Sequence, residues 1–183
     1  MQKFKKLIAA AHTPMDMYQE VNFEAIAAQA KILTENQLTG VFVCGSTGES
    51  ASLTIDERKD ISQEWTDIAG GKMDVIIHVG HNSIKDACEL AAHSAEIGAD
   101  CISTNAPSYY KPANVDALVD YCATIAAAAP KLPFYFYHIP AMTGVSLSMV
   151  EFLRKGAEKI PNLAGLKYTG TNILEFHQCL NHE

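Results

Sequence analysis

The chain has 183 residues, of which 48% are hydrophobic and 19% are charged, and its formal net charge at pH 7 is −7. This composition is ordinary for a globular protein with one buried core, and we expect residues 1–183 to form a single domain. The sequence contains no basic block, which argues against a nucleic-acid surface, and no run approaches the roughly 18 apolar residues of a membrane span.

Cysteine usage and the first residues indicate a cytosolic protein. The five cysteines are odd in number, widely spaced and free of any C-x-x-C pair, which is typical of reduced thiols: Cys44, Cys88, Cys101, Cys122 and Cys179. Lysines ahead of the run LIAAA imitate a signal peptide, but the apolar run is too short and is ended by Pro14. We therefore expect a cytoplasmic protein without disulfides.

Six short apolar runs rich in β-forming residues occur along the chain, and each is followed by a helical pattern. They are residues 7–11, 41–43, 75–79, 101–104, 134–137 and 164–168. Strands that alternate with helices in this way are typical of a parallel sheet. The helices then cover both faces of an open sheet or surround a barrel.

Three of the helical patterns have a defined apolar face. The first begins at a T-x-x-E capping box formed by Thr54 and Glu57. Apolar residues at helical spacing define the faces. The faces are Ile61, Trp65 and Ile68 in that helix; Ile84, Cys88, Ala91 and Ala95 in the next; and Val115, Leu118, Val119, Cys122 and Ile125 in the third, which ends before Pro130.

Polar and turn-forming residues cluster where the predicted strands end. GSTGE (45–49) follows the second strand, PSYYKP (107–112) the fourth, and YHIPAMTG (137–144) overlaps the end of the fifth. Glycine, proline and serine are also what ordinary turns require. Four clusters at carboxyl ends, counting Lys167 on the sixth strand, favour a site, because α/β barrels build their active sites on that face.

Lys167 lies inside the apolar run LAGLKYTG. A buried ammonium is costly unless it is paired or gives up its proton, and a neutral lysine is a nucleophile. The alternative is a strand-end lysine whose alkyl stem packs while its head reaches water.

Two further features bear on a site. The GSTG turn would let backbone N–H groups and the hydroxyls of Ser46 and Thr47 converge on a carboxylate. Strand alternation turns the Tyr137 phenol inward and Phe136 and His138 outward, although a buried tyrosine with a satisfied hydroxyl is equally compatible with the pattern.

Two other pairs of residues are interpreted as structural. Tyr109 and Tyr110 are most simply packing residues. His78 and His81 have neither a third ligand nor a carboxylate nearby in sequence, so we expect no metal site.

Taken together, GSTGE, YHIPAMTGV and GLKYTG, in this order and spacing, resemble the N-acetylneuraminate lyase branch of the class I pyruvate-dependent aldolases. The resemblance covers the chain from Leu7 to its end. It implies an (α/β)₈ TIM barrel, shared with dihydrodipicolinate synthase, of which this chain supplies the first six strand–helix units.

The resemblance also implies roles for individual residues. Lys167 would form a Schiff base with the substrate ketone, the Ser46–Thr47 turn would hold the adjacent carboxylate, and Tyr137 would relay a proton. Thr169 would bind substrate beside the lysine, and Tyr109 would reach into a neighbouring subunit's site.

The implied reaction converts N-acetylneuraminate, which is sialic acid, to pyruvate and N-acetylmannosamine in a homotetramer, without a cofactor or a metal. The substrate is a small molecule, and neither a nucleic acid nor a membrane is an expected partner.

Alternatives remain open at this point. Synthases typically have an arginine where this chain has Met142 and often a glutamate where it has Tyr168, which favours the lyase over a dihydrodipicolinate synthase or another pyruvate aldolase. Because two of the eight strands are absent from this sequence, we expect a piece of a longer protein, with an inactive interaction module as the remaining interpretation.

Overall fold

The computed structural model describes residues 7–181, and strands and helices alternate along it. The strands are β1 Ile8–Ala10, β2 Gly40–Val43, β3 Asp74–His78, β4 Cys101–Asn105, β5 Phe134–His138 and β6 Leu163–Tyr168. The helices are α1 Phe23–Glu35, α2 Ile55–Ala69, α3 Ile84–Glu96, α4 Val115–Ala126, α5 Pro140–Thr143, α6 Met149–Lys159 and α7 Ile173–Leu180, with a 3₁₀ turn at Ser50–Ser52.

The six strands form one sheet in the order β1-β2-β3-β4-β5-β6, and every neighbouring pair is parallel. This confirms the predicted strand series, with bounds that differ from the predicted ones by at most one residue at either end. Parallel neighbours need a crossover, and the helices of the βα units supply it. Within the described residues, β1 and β6 each have a free edge.

The sheet is strongly curled. Lys167 on β6 has its Nζ 5.2 Å from the centroid of the Phe42 ring on β2. In a flat sheet, strands four places apart are separated by about 19 Å, because neighbours lie about 4.8 Å apart. Only a sheet that curves round on itself brings these two side chains together, so the chain forms the larger part of an α/β barrel, as predicted.

The helices pack on the outer face of the sheet and form most of the core. All five residues of the predicted α4 face are buried, and Ile61 and Trp65 of α2 are each 1% exposed. The Thr54 capping box is present: the Thr54 hydroxyl accepts from the Glu57 N–H, and the Glu57 carboxylate accepts from the Thr54 N–H. Helix burial therefore follows the sequence periodicity closely here.

The predicted face of α3 is only partly right. Its buried residues are Ala87, Leu90, Ala91 and Ser94, so Ala91 is confirmed, whereas Cys88 and Ala95 are half-buried. Ile84, in the first turn of the helix, is 38% exposed. The buried face is thus centred on Ala87, Leu90, Ala91 and Ser94, and Ile84 lies at its edge in the first turn.

All five cysteines are free thiols, and Cys44, Cys101 and Cys122 are buried, as the sequence predicts. None of the helices in residues 7–181 is long and apolar enough to cross a membrane.

Candidate active site

Lys167 and Tyr137 are register partners on β6 and β5. The Lys167 Nζ lies 3.4 Å from the centroid of the Tyr137 ring. A cation this close to an aromatic face is attracted by the ring quadrupole. The two residues for which the family resemblance implies catalytic roles are therefore in direct contact on the inner face of the curled sheet.

The surroundings of Lys167 are almost entirely apolar. It lines a cavity of about 270 Å³ together with Ile8, Ala10, Phe42, Ile76, Tyr135 and Leu166. Within residues 7–181, no carboxylate lies within ion-pair distance of its Nζ. The charge in the LAGLKYTG run is thus placed against aromatic faces inside the barrel, and Lys167 as a whole is half-buried.

Tyr137 belongs to a cluster of three inner rings. Its ring meets Phe42 edge-on at 5.6 Å and His78 edge-on at 5.8 Å, and Tyr137 is 5% exposed. Phe136 and His138 lie on the outer face, where their rings contact Phe152 at 4.7 Å and Tyr168 at 5.0 Å. The predicted alternation along β5 is therefore correct.

His78 also lies in this inner cluster. The sequence pattern predicted only a structural role for it and did not indicate this position. Burial, followed by the positive charges of Arg58 and Lys167, lowers the pKa of His78 to about 3, so the imidazole is neutral at physiological pH. Strand alternation along β3 could have indicated that His78 faces inward, because Ile76, two residues earlier, lines the inner cavity.

The GSTGE turn lies against the same inner ring as Lys167. A Cβ at Gly45 would fall 2.5 Å from Cε1 of Phe42, so only glycine lets the backbone lie on this ring. Ser46 is exposed and Thr47 half-buried, and the Thr13 hydroxyl anchors the turn by donating to the Gly48 carbonyl at 2.8 Å. Phe42 thus connects the predicted carboxylate turn to the lysine, while binding by Ser46 and Thr47 stays a prediction.

Thr169 is tied to the neighbouring strand. Its backbone N–H and its Oγ1 both donate to the His138 carbonyl, at 3.0 and 2.8 Å. The hydroxyl proton is therefore engaged by backbone, although the oxygen keeps its capacity to accept. The structure shows Thr169 joining the ends of β5 and β6, and its predicted contact with substrate stays a prediction.

Tyr109 and Tyr110 do not pack into the core, so the packing interpretation is wrong for this chain. They are 77% and 86% exposed, and their rings meet edge-on at 5.0 Å. The loop that carries them is ordered by Asn82, whose Oδ1 accepts from the N–H groups of Ser108 and Tyr109. An aromatic pair held outward is compatible with the predicted reach of Tyr109 into another subunit, which stays a prediction.

His81 has local partners. Its Nδ1 accepts from the Ser83 N–H at 3.0 Å and lies 3.3 Å from the Asp86 carboxylate. In the part of the chain that the structure describes, no group of three His, Cys, Asp or Glu side chains could hold a metal ion.

The chain thus has the architecture of a parallel α/β barrel in which a lysine of the sixth strand lies against a tyrosine of the fifth. Residues 3–182 match the model of the dihydrodipicolinate synthetase family, and the chain belongs to that family.

Individual relatives are lyases by name. The chain is 45% identical to N-acetylneuraminate lyase A of Xenopus laevis over 98% of this chain and 60% of that protein. The structure of N-acetylneuraminate lyase (sialic acid aldolase) from Aliivibrio salmonicida superposes with a TM-score of 0.97 at 44% identity, over 100% of this chain and 60% of the other.

A further structural relative is a catalytic lysine mutant of the Ruminococcus gnavus sialic acid aldolase. It has a TM-score of 0.90 and 28% identity, over 98% of this chain and 59% of the other. The chain thus spans about 60% of the length of these relatives.

Proposed function

We propose that this chain carries the Schiff-base part of the active site of an N-acetylneuraminate lyase, which cleaves N-acetylneuraminate to pyruvate and N-acetylmannosamine. The contact between the Lys167 amine and the Tyr137 ring, inside an apolar cavity, is the observation that carries this proposal. Relatives named N-acetylneuraminate lyase at 44–45% identity support it, as does the catalytic lysine named for the Ruminococcus gnavus aldolase.

In the proposed mechanism, the Lys167 ammonium gives up a proton and its amine attacks the C2 ketone of the open-chain sugar acid. Return of a proton to the hydroxyl of the resulting carbinolamine, followed by loss of water, gives a protonated imine. The electrons of the C3–C4 bond then move into this imine to form an enamine. Tyr137 relays the proton of the C4 hydroxyl: its oxygen accepts this proton as it passes its own phenolic proton to a neighbouring carboxylate or hydroxyl. Release of N-acetylmannosamine, protonation of the enamine at C3 and hydrolysis return pyruvate and the free lysine.

The substrate carboxylate needs its own binding group. The Ser46–Thr47 turn would supply hydroxyls and backbone N–H groups, and it lies against the Phe42 ring that also neighbours Lys167. A carboxylate held there would place the adjacent C2 carbon toward the lysine, which is the orientation that imine formation requires.

Within the family, the lyase is favoured over the synthase. Met142, where synthases typically have an arginine, is 70% exposed and offers no cation for a second carboxylate. Tyr168 does not add to this distinction, because its ring packs on the outer face against His138 and Phe176. The names of the relatives and Met142 are therefore what supports the lyase.

The same proposal covers assembly and location. A homotetramer is expected from the family resemblance, and the outward-facing Tyr109–Tyr110 pair offers surface for a subunit contact. Sedimentation measurements would test this assembly, and Tyr109→Ala should weaken it, whereas Tyr18→Ala, at an exposed residue on another part of the surface, should not.

Five free cysteines support a cytoplasmic location, which fractionation of cells would check.

The decisive experiment is reductive trapping. Pyruvate with borohydride should add to Lys167 a group with the mass of pyruvate less one oxygen atom, located by peptide mass spectrometry. Lys167→Arg should abolish the adduct, whereas Lys111→Arg, in the loop after β4, should leave it intact. An unmodified wild-type chain would contradict the proposal and favour an inactive interaction module.

A further inference from the structure

Arg58 on α2 is a buried cation with no anionic partner. It is 1% exposed, and its guanidinium donates to the Gly80 carbonyl at 3.0 Å and to the His78 carbonyl at 2.6 Å. Its Nε has no hydrogen-bond partner. Among residues 7–181, no carboxylate lies within 4.0 Å of it.

Such a charge is expensive to keep. The two carbonyl oxygens accept some of the guanidinium hydrogen bonds but do not neutralise its charge. A protein with a well-packed apolar side chain of similar size at such a position is often no less stable. Burial lowers the pKa of Arg58, yet arginine stays protonated in proteins. The fold therefore holds a full positive charge whose counter-charge is not among the described side chains.

This charge lies behind the carboxyl ends of two strands. The His78 carbonyl that it binds ends β3, and the Gly80 carbonyl lies two residues beyond that strand. Its guanidinium also interacts with the thiol of Cys44, the residue directly before the GSTGE turn. Ser46 and Thr47 follow Cys44 by two and three residues, so their Cα atoms lie within about 8 and 11 Å of its Cα. The turn itself carries one charged residue, Glu49. Because Glu49 is exposed, water screens its field more effectively than the field of the buried Arg58.

We propose that Arg58 is the buried counter-charge for a carboxylate bound at the Ser46–Thr47 turn. This role rests on the proposed function, because it assumes that the turn receives the substrate's carboxylate. Arg58 does not touch the ligand; it acts through space as a positioning residue. For a carboxylate about 10 Å from the guanidinium and an effective dielectric constant near 20, Coulomb's law gives an anion affinity that is stronger by about tenfold.

The test uses isobutyrate, a carboxylate without a ketone, and its neutral counterpart isobutyramide, since neither can form an imine. Both are titrated onto ¹⁵N-labelled protein while the amide signals of Ser46 and Thr47 are followed. Arg58→Met should weaken isobutyrate binding about tenfold and leave isobutyramide unchanged, whereas Arg58→Lys, which keeps the charge, should stay close to wild type.

A second pair of variants keeps the test independent of replacing a buried arginine. Ser62 is buried on α2 beside Arg58, and its hydroxyl donates to the Arg58 backbone carbonyl at 2.7 Å. Ser62→Asp supplies an internal counter-charge and should weaken isobutyrate as Arg58→Met does, while the uncharged Ser62→Asn should not. Circular dichroism and thermal unfolding check that each variant is folded.

Three outcomes would overturn the inference. The wild-type Ser46 and Thr47 amide signals do not respond to isobutyrate, the variants lose equal affinity for isobutyrate and isobutyramide, or neither Arg58→Met nor Ser62→Asp loses affinity for isobutyrate. Pyruvate trapping on Lys167 is measured separately in the same wild-type protein. If trapping succeeds and the isobutyrate test fails, Arg58 has no such role; if trapping fails, the proposed function is wrong whatever the anion binding shows.

Discussion

The Lys167 amine lies over the face of the Tyr137 ring, with Nζ 3.4 Å from the ring centroid. Parallel pairing of β5 with β6 places the two residues at the same level, and strand alternation turns both inward. The ring and the hydroxyl of Tyr137 can therefore have separate roles: the ring faces the amine, and the hydroxyl is available for proton transfer. The first two predictions separate these roles.

Lys167→Arg keeps a cation over the Tyr137 ring but cannot form an imine. We expect pyruvate trapping to disappear and sugar cleavage, in a chain extended to the length of its relatives, to fall by many orders of magnitude, because the covalent pathway is lost. Release of N-acetylmannosamine and the mass of the trapped peptide are the measurements. Retention of more than a few per cent of wild-type cleavage by a folded variant would refute the Schiff-base role.

Tyr137→Phe keeps the aromatic face and removes the hydroxyl. Trapping of pyruvate should continue at a rate near that of wild type, because the amine retains its environment. Cleavage in the extended chain should fall by about 10²- to 10⁴-fold, the usual contribution of a general acid–base group. Equal losses in trapping and cleavage would show that the tyrosine positions the lysine instead of moving a proton.

Tyr168 is the outer-face neighbour of Lys167, and Glu175 holds it in place. Its hydroxyl donates to the Glu175 carboxylate at 2.7 Å, and the same carboxylate accepts from the Met149 N–H at 3.0 Å. Tyr168→Phe should lower the free energy of unfolding by about 1 kcal/mol and slow trapping several-fold, because the end of β6 loses a bond to α7.

Glu175→Gln should lower the stability and the trapping rate in the same direction as Tyr168→Phe. The double variant should lose little more than either single variant, because each of the three removes the same Tyr168–Glu175 interaction. The matched control is Tyr110→Phe, which removes a hydroxyl from a residue that is 86% exposed. Urea unfolding and the trapping rate are measured together. Additive losses in the double variant would show that the two residues act independently.

His78 should make the fold sensitive to acid. Its folded-state pKa is about 3 against an ordinary value of 6.5, so between these values the unfolded chain binds a proton that the folded chain does not. This contribution to stability is fully present above pH 6.5 and is lost as the pH falls, by at most about 1.4 kcal/mol per pH unit. Urea unfolding from pH 7 to pH 4 measures the slope.

The control for this pH dependence is His78→Gln, which cannot titrate. Its slope between pH 6.5 and pH 4 should be shallower than that of the wild type. The difference between the two proteins removes the contributions of His93 and His138, whose pKa values burial also lowers. Identical slopes would mean that the His78 environment admits a proton in the folded state.

Much of the architecture could be predicted from the sequence. The parallel strand series follows from the alternation of hydrophobic runs with helical patterns, and the inward direction of Tyr137 follows from strand alternation, whereas the barrel was implied by the family resemblance. The structure confirms all three. The helix periodicity likewise predicts the buried face of α4. Strand alternation and helix periodicity can be recognised in the sequence because they depend on neighbours within a few residues along the chain.

The site itself was decided by the tertiary structure. The rings of Phe42, His78 and Tyr137 come from three strands, and only the curl of the sheet brings Phe42 within 5.2 Å of the Lys167 amine. No sequence pattern indicated the burial of Arg58, and the exposure of Tyr109 and Tyr110 could not be told from their aromatic character. The sequence by itself determined which groups could do chemistry, because strand and helix periods are local. Curvature and helix docking decided which of them meet, because those contacts join residues far apart in the chain.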